Sequence, residues 1–264
     1  MRTPKPASRP PLQPSLAGRV ALVTGGGRGF GRAIALALGR AGADVAVNYN
    51  ASRDHAADVA CALENDGRRA VALKADVASD DEVRSLVSAV LERFGRLDIL
   101  VNNAGVMVHG AFHEILPERY DAMFAVNVGG TMRCTYHALP AMMEKKHGRI
   151  INLSSQLAQR GVATSGFAAY AATKGAIESF TRAIAHECGR YGVTANAIAP
   201  GGIETDMSRG VMTEEYRTRR LQELPLRRFG GVEDVAYCAV FLAADEASYL
   251  TGQILHPSGG WVMG

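Results

Sequence analysis

Three residues in the second half of the sequence have side chains suited to moving a proton at an oxygen atom. Tyr170 and Lys174 are four positions apart, so on a helix both side chains project from the same face. A free phenol has a pKa of about 10, and a nearby ammonium lowers that pKa because it stabilises the phenolate. Ser155, at the end of an apolar run, could polarise a carbonyl oxygen. A tyrosine and a lysine at this spacing are common by chance, so they indicate catalysis only beside a cofactor site.

A glycine-rich segment near the start of the chain predicts such a site. Gly25, Gly29 and Gly31 follow the apolar run 20–23 and precede a helical pattern. Glycines in this context let the backbone turn sharply and approach a pyrophosphate, which the free N–H groups at the start of the helix can bind. A tight turn alone would also explain them, but the strand before and the helix after favour a dinucleotide site. Phe30 belongs to the same loop.

The residues after the second apolar run indicate which dinucleotide binds. An acid that hydrogen-bonds the adenosine 2′-hydroxyl is expected about twenty residues beyond the glycines. The sequence has Tyr49 there, flanked by Asn48 and Asn50. No carboxylate is present at that place to repel a 2′-phosphate, and Arg28 in the glycine loop could pair with it. The alternative is that Arg28 only faces solvent or a nearby acid. We expect NADP(H) to be favoured over NAD(H).

Apolar β-rich runs alternate with helical patterns from residue 19 onward. The predicted strands are 20–24, 45–47, 70–73, 97–101, 149–153, 193–198 and 253–255. The predicted helices are 32–40, 52–66, 80–94, 117–143, 168–191 and 232–243, and the charged segment 204–228 is predicted to be a substrate lid. Strands that are apolar throughout and separated by helices imply a parallel sheet covered on both faces. The predicted fold class is α/β, a single doubly wound domain with about seven strands.

Length and composition exclude several classes of protein. The chain has 264 residues, 47% of them hydrophobic and 21% charged, as in one large globular domain. Its longest apolar runs are far shorter than the roughly 20 residues of a membrane span. The net charge of +3 equals the charge of the proline-rich residues 1–15, which are predicted to be a disordered tail. The domain, 16–264, is therefore neutral and offers no broad field to nucleic acid or to a membrane surface.

Neither a metal centre nor a disulfide framework is indicated. The four cysteines are widely scattered without a CxxC pair, and the histidines lack metal-ligand spacing to acids or cysteines. His109 is the histidine that could border a substrate. The first residues also lack the apolar stretch of a secretory signal. We therefore expect a cytoplasmic protein.

Five motifs occur together, in order, after residue 18. They are the loop 24–31, Asn-Asn-Ala-Gly at 102–105, Ser155, Tyr-Ala-Ala-Thr-Lys at 170–174 and Pro-Gly at 200–201. Together they resemble the short-chain dehydrogenase/reductase family, and the pattern looks most like its 3-oxoacyl-acyl-carrier-protein reductases. The resemblance implies a Rossmann-type fold. It also implies an NAD(P)-dependent oxidoreductase that moves a hydride between nicotinamide and a carbonyl or alcohol carbon.

The resemblance assigns a set of residues to the cofactor. Asp76 and Val77 would contact the adenine, and the loop after the sixth strand would hold the nicotinamide carboxamide. The predicted cofactor-binding residues are Gly25, Arg28, Gly29, Phe30, Gly31, Tyr49, Asn50, Asp76, Val77, Asn103, Ala104, Gly105, Tyr170, Lys174, Pro200, Gly201, Ile203 and Thr205.

The resemblance also implies four catalytic roles. Ser155 would polarise the substrate carbonyl and Tyr170 would donate the proton. Lys174 would bind the nicotinamide ribose and acidify the tyrosine. Asn127 would hold a water that links the lysine to solvent.

The sequence departs from the family pattern at two places. The stretch from Ser155 to Tyr170 is two residues longer than usual, around 163–165. We expect the insertion to bulge at the substrate mouth, and it leaves open the choice of Ser155 over Ser154. Ser258 stands where the family commonly has aspartate, in a segment that usually lies near a subunit contact.

The substrate stays open at this point. Arg133 falls where carrier-protein reductases place a basic residue for the carrier's acidic surface, but it could equally be an ordinary surface or interface residue. The candidates are a 3-oxoacyl thioester on an acyl carrier protein, or a steroid, a sugar, a cyclic alcohol or a secondary-metabolite ketone. The alternative class is a cofactor-sensing regulator, because the same fold can bind without catalysing.

The resemblance implies a homotetramer. Relatives pair the helix that starts near Pro117 and the helix that carries Tyr170 across a two-fold axis, and use the C-terminal strand for a second contact. The helix from Pro117 also carries more apolar residues than one sheet face absorbs.

Overall fold

One parallel sheet forms the centre of the described chain, which in this computed structural model covers residues 15–159, 166–203 and 213–263. Its strands are β1 (Val20–Val23), β2 (Asp44–Tyr49), β3 (Ala70–Lys74), β4 (Ile99–Asn102), β5 (Gly148–Leu153), β6 (Val193–Ile198) and β7 (Ile254–Leu255). Within the described residues these seven strands pair in the order β3-β2-β1-β4-β5-β6-β7, and every pair is parallel. The predicted number of strands is therefore confirmed.

Helices cover both faces of the sheet. They are α1 (Gly29–Arg40), α2 (Arg53–Asn65), α3 (Asp80–Phe94), α4 (Pro117–Phe124), α5 (Gly130–Glu144), α6 (Ala168–Cys188), α7 (Glu214–Glu223) and α8 (Val232–Ala243). The apolar sides of α1, α2 and α8 pack on one face, and those of α3, α5 and α6 pack on the other. This arrangement is the predicted doubly wound α/β fold.

Strand β1 is apolar throughout because both faces of the sheet are covered. Successive side chains of a strand point to opposite faces. Ala21 and Val23 accordingly join the cluster under α1, whereas Val20 and Leu22 join the cluster under α3. All four are buried. This two-sided burial is why the sequence shows unbroken apolar runs instead of an alternation of apolar and polar residues.

The predicted helix 117–143 is interrupted in the structure. One π-helical turn, Ala125–Gly129, joins α4 to α5. Asn127 lies in this turn, fully buried, and its side chain forms two hydrogen bonds with the backbone of Val106. These bonds compensate for the wider turn. They connect residues far apart in sequence, so the apolar periodicity could not reveal the interruption.

The strand order reverses between β1 and β4. From β1 the chain winds outward to β3, and from β4 it winds the other way to β7. Open α/β sheets bind their ligands outside the carboxyl ends of the strands at such a reversal. The segments that follow β1, β4, β5 and β6 contain the glycine loop, Asn103, Ser155 and Pro200. The fold therefore places the predicted motifs along one edge.

Some predictions concern residues outside the described ranges. These are the tail up to residue 14, the inserted segment around 163–165 and the first part of the lid, 204–212, with Thr205. The described remainder of the lid contains α7. Among the helices that the structure describes, none combines the length and the apolarity needed to cross a bilayer.

Candidate active site

The glycine loop after β1 has a backbone conformation that favours glycine at several positions. Gly25 and Gly29 have φ values of +60° and +51°, in the left-handed region. A Cβ on Gly31 would lie 2.3 Å from the carbonyl oxygen of Gly25, so no larger residue fits there. Helix α1 begins at Gly29, and its first N–H groups can bind an anion. The residues of this loop therefore fit a dinucleotide pyrophosphate.

Thr24 and Asn103 fix the glycine loop to the loop after β4. The Thr24 Oγ1 accepts hydrogen bonds from the backbone N–H groups of Asn103 and Ala104, both at 3.0 Å. The Asn103 Nδ2 donates to the backbone oxygens of Thr24 and Gly25 at 2.8 and 3.0 Å. Two segments that are distant in sequence are thus held as one rigid cradle.

Asn48 fixes the other side of the same loop. Its Oδ1 accepts from the Gly25 N–H at 3.2 Å, and its Nδ2 donates to the carbonyl oxygen of Ala75 at 3.0 Å. The side chain is buried at the end of β2. Sequence reasoning used Asn48 only as a neighbour of Tyr49 and missed this role, as it missed that of Thr24. The available signal was a polar residue at the carboxyl end of an otherwise apolar strand.

The side of the cradle at the carboxyl end of β2, where a 2′-phosphate is predicted to bind, contains basic and neutral residues. Arg28 is exposed at the start of α1, and its side chain has no hydrogen bond or ion pair with the residues that the structure describes. Tyr49 is half-buried and Asn50 is exposed. Arg53, the exposed first residue of α2, is a second basic residue that sequence reasoning missed. A Cβ on Gly27 would lie 3.3 Å from His55, so the glycine loop contacts the first turn of α2.

Asp76 shapes the turn after β3. Its Oδ1 accepts from the Ala78 N–H at 2.9 Å, and its own N–H donates to Glu82 Oε2 at 2.9 Å. Val77 in this turn packs against Gly130 of α5. A Cβ on Gly130 would lie 2.6 Å from the valine side chain. The assignment of Asp76 and Val77 as adenine contacts stays a prediction.

Tyr170 and Lys174 lie one turn apart in α6. The Lys174 Nζ is 5.6 Å from the centroid of the Tyr170 ring and donates to the carbonyl oxygen of Leu153 at 2.6 Å. Burial raises the pKa of Tyr170 to about 12 and lowers the pKa of Lys174 to about 8. The expected lowering of the tyrosine pKa is thus absent in the protein alone, because burial outweighs the ammonium. The phenol is protonated at neutral pH.

Replacing Lys174 with methionine is expected to raise the free energy of unfolding by about 2 kcal/mol at pH 7. The lysine pKa falls from 10.5 to about 8 on folding, so the cost of burying its charge is fully present below pH 8. That cost disappears as the pH rises toward 10.5, and the advantage of methionine should shrink with it. Urea unfolding of both proteins at pH 7 and pH 10 measures this. An equal loss of stability at both values would show that the bond to Leu153 dominates instead.

Ser154 and Ser155 have different surroundings, which bears on the choice between them. The Ser154 Oγ donates to Glu178 Oε1 at 2.9 Å inside the protein. The Ser155 Oγ accepts from the Leu157 N–H at 3.2 Å. Its hydroxyl hydrogen is not donated to any residue in the described ranges, so Ser155 keeps a donor for a ligand oxygen. Glu178, a buried carboxylate, had not been singled out from the sequence.

Asn127 joins three parts of the site. Its Nδ2 donates to the Val106 carbonyl at 2.9 Å and to Thr173 Oγ1 at 3.1 Å, and its Oδ1 accepts from the Val106 N–H at 2.8 Å. Thr173 immediately precedes Lys174. The π turn, the loop after Asn103 and α6 are therefore fixed to one another. The role of Asn127 in holding a water stays a prediction.

The loop after β6 packs against the turn that follows Ser155. The Gln156 N–H donates to the Pro200 carbonyl at 3.1 Å, and the Gly201 N–H donates to the Pro257 carbonyl at 3.1 Å. Ile203 forms a β-bridge with Gly230 and is buried. In the part of the chain that the structure describes, no group of His, Cys, Asp and Glu side chains could hold a metal ion.

Comparison with known proteins agrees with this arrangement. The short-chain dehydrogenase profile described as enoyl-(acyl carrier protein) reductase matches residues 25–262. The 3-oxoacyl-(acyl-carrier-protein) reductase of Synechocystis sp. is 41% identical over 250 residues, which is 94% of this chain and 99% of that protein. The chain belongs to the short-chain dehydrogenase/reductase family.

Other members of the short-chain dehydrogenase/reductase family match over similar lengths. The versicolorin reductase of Emericella nidulans is 40% identical over 257 residues, covering 93% of this chain and 96% of that protein. A crystal structure of gluconate 5-dehydrogenase from Burkholderia cenocepacia in complex with NADP and tartrate superposes with a TM-score of 0.88 at 34% identity. It covers 94% of this chain and 96% of that chain. The protein is thus an oxidoreductase of CH–OH or C=O groups, which confirms the predicted family and enzyme class.

Proposed function

We propose that the protein interconverts a ketone and a secondary alcohol with NADP(H), using Asn127, Ser155, Tyr170 and Lys174 as its catalytic residues. The observation that supports this most is the state of the two hydroxyl groups beside the glycine cradle. Tyr170 holds its proton at neutral pH, and Ser155 donates to no described residue. Both can therefore serve an oxygen atom of a substrate.

The two hydroxyls have separate tasks when a carbonyl is reduced. Negative charge develops on the substrate oxygen, and donors directed at it stabilise the transition state. Ser155 donates a hydrogen bond to this oxygen. Tyr170 transfers its proton to the same oxygen as the new C–H bond forms, so the product is a neutral alcohol. When bound, the nicotinamide supplies the hydride for this reaction.

Lys174 and Asn127 support the proton transfer. After donating its proton, Tyr170 carries a negative charge, which the nearby Lys174 ammonium stabilises. With a pKa of about 8, Lys174 is mostly protonated at neutral pH and can return a proton to the tyrosinate. Asn127 keeps α6 in place through Thr173.

A regulator that only senses the cofactor is the competing class. Such a protein needs no proton donor, so the set around Tyr170 argues against it. Purified protein with NADPH and a panel of ketones should oxidise NADPH in proportion to the alcohol formed. Binding of NADPH without turnover of any ketone, together with a Tyr170→Phe variant that keeps its cellular role, would support the regulator.

Arg28→Ala is expected to weaken NADPH binding roughly 10- to 100-fold, because it removes a charged partner of the 2′-phosphate. The Kd of NADH should stay within about twofold, since the cofactors differ only in that phosphate. Fluorescence titration of both cofactors measures the two constants. Arg40→Ala is the matched control, because Arg40 is an exposed arginine at the other end of α1. Equal losses for both cofactors would contradict a 2′-phosphate role for Arg28.

Two substrate classes have separate support. The relatives named as 3-oxoacyl-(acyl-carrier-protein) reductases favour a carrier-bound thioester. Arg133 favours a free ketone, because its guanidinium donates to the carbonyl oxygens of Ala125 and Val77 at 3.2 and 3.5 Å and is half-buried. A guanidinium that is bonded to backbone oxygens of its own chain is not free to contact the acidic surface of a carrier protein. A rate advantage of a carrier-bound over a free acetoacetyl thioester, lost at high salt, would identify the carrier as partner.

We expect a homotetramer in solution. Large apolar side chains are exposed on the outer side of the α4–α5 segment, including Met132 at 47% and Tyr136 at 73%. A second group, Tyr237, Phe241 and Tyr249, is exposed at α8 and just beyond it. Two separate apolar faces are what a tetramer with two-fold axes requires. Light scattering should give four times the mass of one chain, and Tyr136→Glu should reduce it to a dimer. A stable monomer at micromolar concentration would contradict this expectation.

A further inference from the structure

Gln156 is a buried polar residue that the proton-transfer mechanism does not use. It directly follows Ser155 at the carboxyl end of β5 and is only 7% exposed. Its amide lies over Gly201, where an added Cβ would be 1.5 Å from Gln156 Oε1. The side chain therefore fills the space between the turn that follows Ser155 and the Pro200–Gly201 loop. This space lies at the edge of the sheet that holds the candidate active site.

The amide oxygen of Gln156 lacks a hydrogen-bond partner within the described residues. Leaving a buried acceptor unsatisfied lowers the stability of the fold. A leucine or methionine would fill the same space without that penalty. An unpaired amide kept beside the proposed catalytic serine is therefore best explained by a ligand that completes its hydrogen bonding.

Two neighbouring polar side chains, those of Ser154 and Gln159, differ from Gln156 in this respect. The Gln159 Nε2 donates to Glu178 Oε2 at 3.3 Å, and the Ser154 Oγ donates to Glu178 Oε1 at 2.9 Å. Both side chains thus donate to the buried carboxylate of Glu178. Gln159 is therefore a useful comparison, since it is the same residue type in the same turn, but it has a partner inside the protein and is itself exposed.

We propose that Gln156 is a specificity-determining residue that hydrogen-bonds a hydroxyl group of the substrate, close to the carbonyl that Ser155 and Tyr170 serve. The proposal rests on the proposed ketone reductase function and narrows its substrate class to hydroxylated ketones. A hydroxyl is the matching group because it can donate to the amide oxygen and accept from the amide nitrogen. The amide can therefore bind it in either orientation of its terminal torsion. An acetoacetyl thioester has no such donor.

Matched pairs of ketones test this directly. Each pair replaces a hydroxyl by a methyl group of similar size: hydroxyacetone with butanone, 4-hydroxy-2-butanone with 2-pentanone, and 2-hydroxyacetophenone with propiophenone. The wild type should prefer the hydroxylated member of at least one pair by about tenfold or more in kcat/KM. Gln156→Met should remove this preference by slowing the hydroxylated member alone. The Kd of NADPH, measured by fluorescence, should not change.

Thermal unfolding supplies a readout that does not depend on activity. Gln156→Met is nearly isosteric and removes the unpaired amide, so it is expected to raise Tm by about 2–4 °C. Gln159→Met removes an exposed amide that has a partner, so it should lower Tm slightly. Opposite shifts in Tm for the two variants are expected if the Gln156 amide serves a ligand and lowers the stability of the free protein.

The alternative outcomes are distinguishable. A rise in the Kd of NADPH on Gln156→Met, with equal slowing of both members of each pair, would assign the amide to the nicotinamide carboxamide and overturn the proposal. A fall in Tm like that of Gln159→Met, or reduction of an acetoacetyl thioester without a preference in any pair, would also overturn it. Failure of the wild type to oxidise NADPH with any ketone or thioester would instead contradict the proposed function.

Discussion

Tyr170→Phe is expected to lower kcat for ketone reduction by about a thousandfold, because it removes the proton donor and leaves the rest of the site in place. The proton must reach the substrate oxygen as the C–H bond forms. Ser155 can donate a hydrogen bond to this oxygen but does not give up its proton. The ring of phenylalanine fills the same half-buried space, so the fold should not change. Steady-state kinetics with NADPH and the best ketone of the panel give the rate.

Two controls show that the effect is chemical. The Kd of NADPH for Tyr170→Phe should stay within a few-fold of the wild type, and its Tm should not fall. In the wild type, the rate of reduction should decline as the pH rises above about 8, where Lys174 loses its proton. A variant that keeps a kcat within fivefold of the wild type would show that another group donates the proton.

Ser155→Ala is expected to lower kcat by about 10²- to 10³-fold, as the loss of one donor to a developing oxyanion does. Its effect on stability should be about 1 kcal/mol or less, since the hydroxyl only accepts one bond from the Leu157 N–H in the protein itself. Rate and stability should therefore respond very differently to this substitution. Kinetics and urea unfolding of the same preparation measure both.

Ser154→Ala is the matched control, with the opposite pattern expected. The Ser154 hydroxyl donates to the buried carboxylate of Glu178, and its loss should cost about 1–3 kcal/mol of stability. The rate should stay within a few-fold, because the Ser154 hydroxyl hydrogen is already donated inside the protein. If Ser154→Ala lost activity and Ser155→Ala kept it, the two serines would have been assigned in the wrong order.

Elements with local end signals were predictable from the sequence. Helix α3 spans 80–94 as predicted, because the Ser79 Oγ accepts from the Glu82 N–H at its start and Gly95, at φ +76°, ends it. Strand β6 also has its predicted bounds, since it is short and begins directly after Gly192. The fold class followed from such segments and their alternation.

Features that depend on contacts between distant segments were not predictable. The π turn at Asn127 is stabilised by Val106, and the polar bonds of Asn48 join β1, β2 and β3. The rise in the pKa of Tyr170 was also missed, because it depends on burial by the whole fold and not on the spacing to Lys174. The sequence located the reacting side chains, whereas their environments required the packed structure.

Transfer of deuterium from NADPH labelled at the reactive C4 position tests the central claim most directly. The claim is that this chain moves a hydride to a carbonyl carbon and that Tyr170 supplies the proton. Mass spectrometry of the alcohol should find one deuterium on the carbinol carbon for each NADPH consumed by the wild type, and almost none with Tyr170→Phe in the same time. NADPH that binds with its label unchanged in the presence of every ketone, or label that reaches the alcohol equally fast with Tyr170→Phe, would contradict the account.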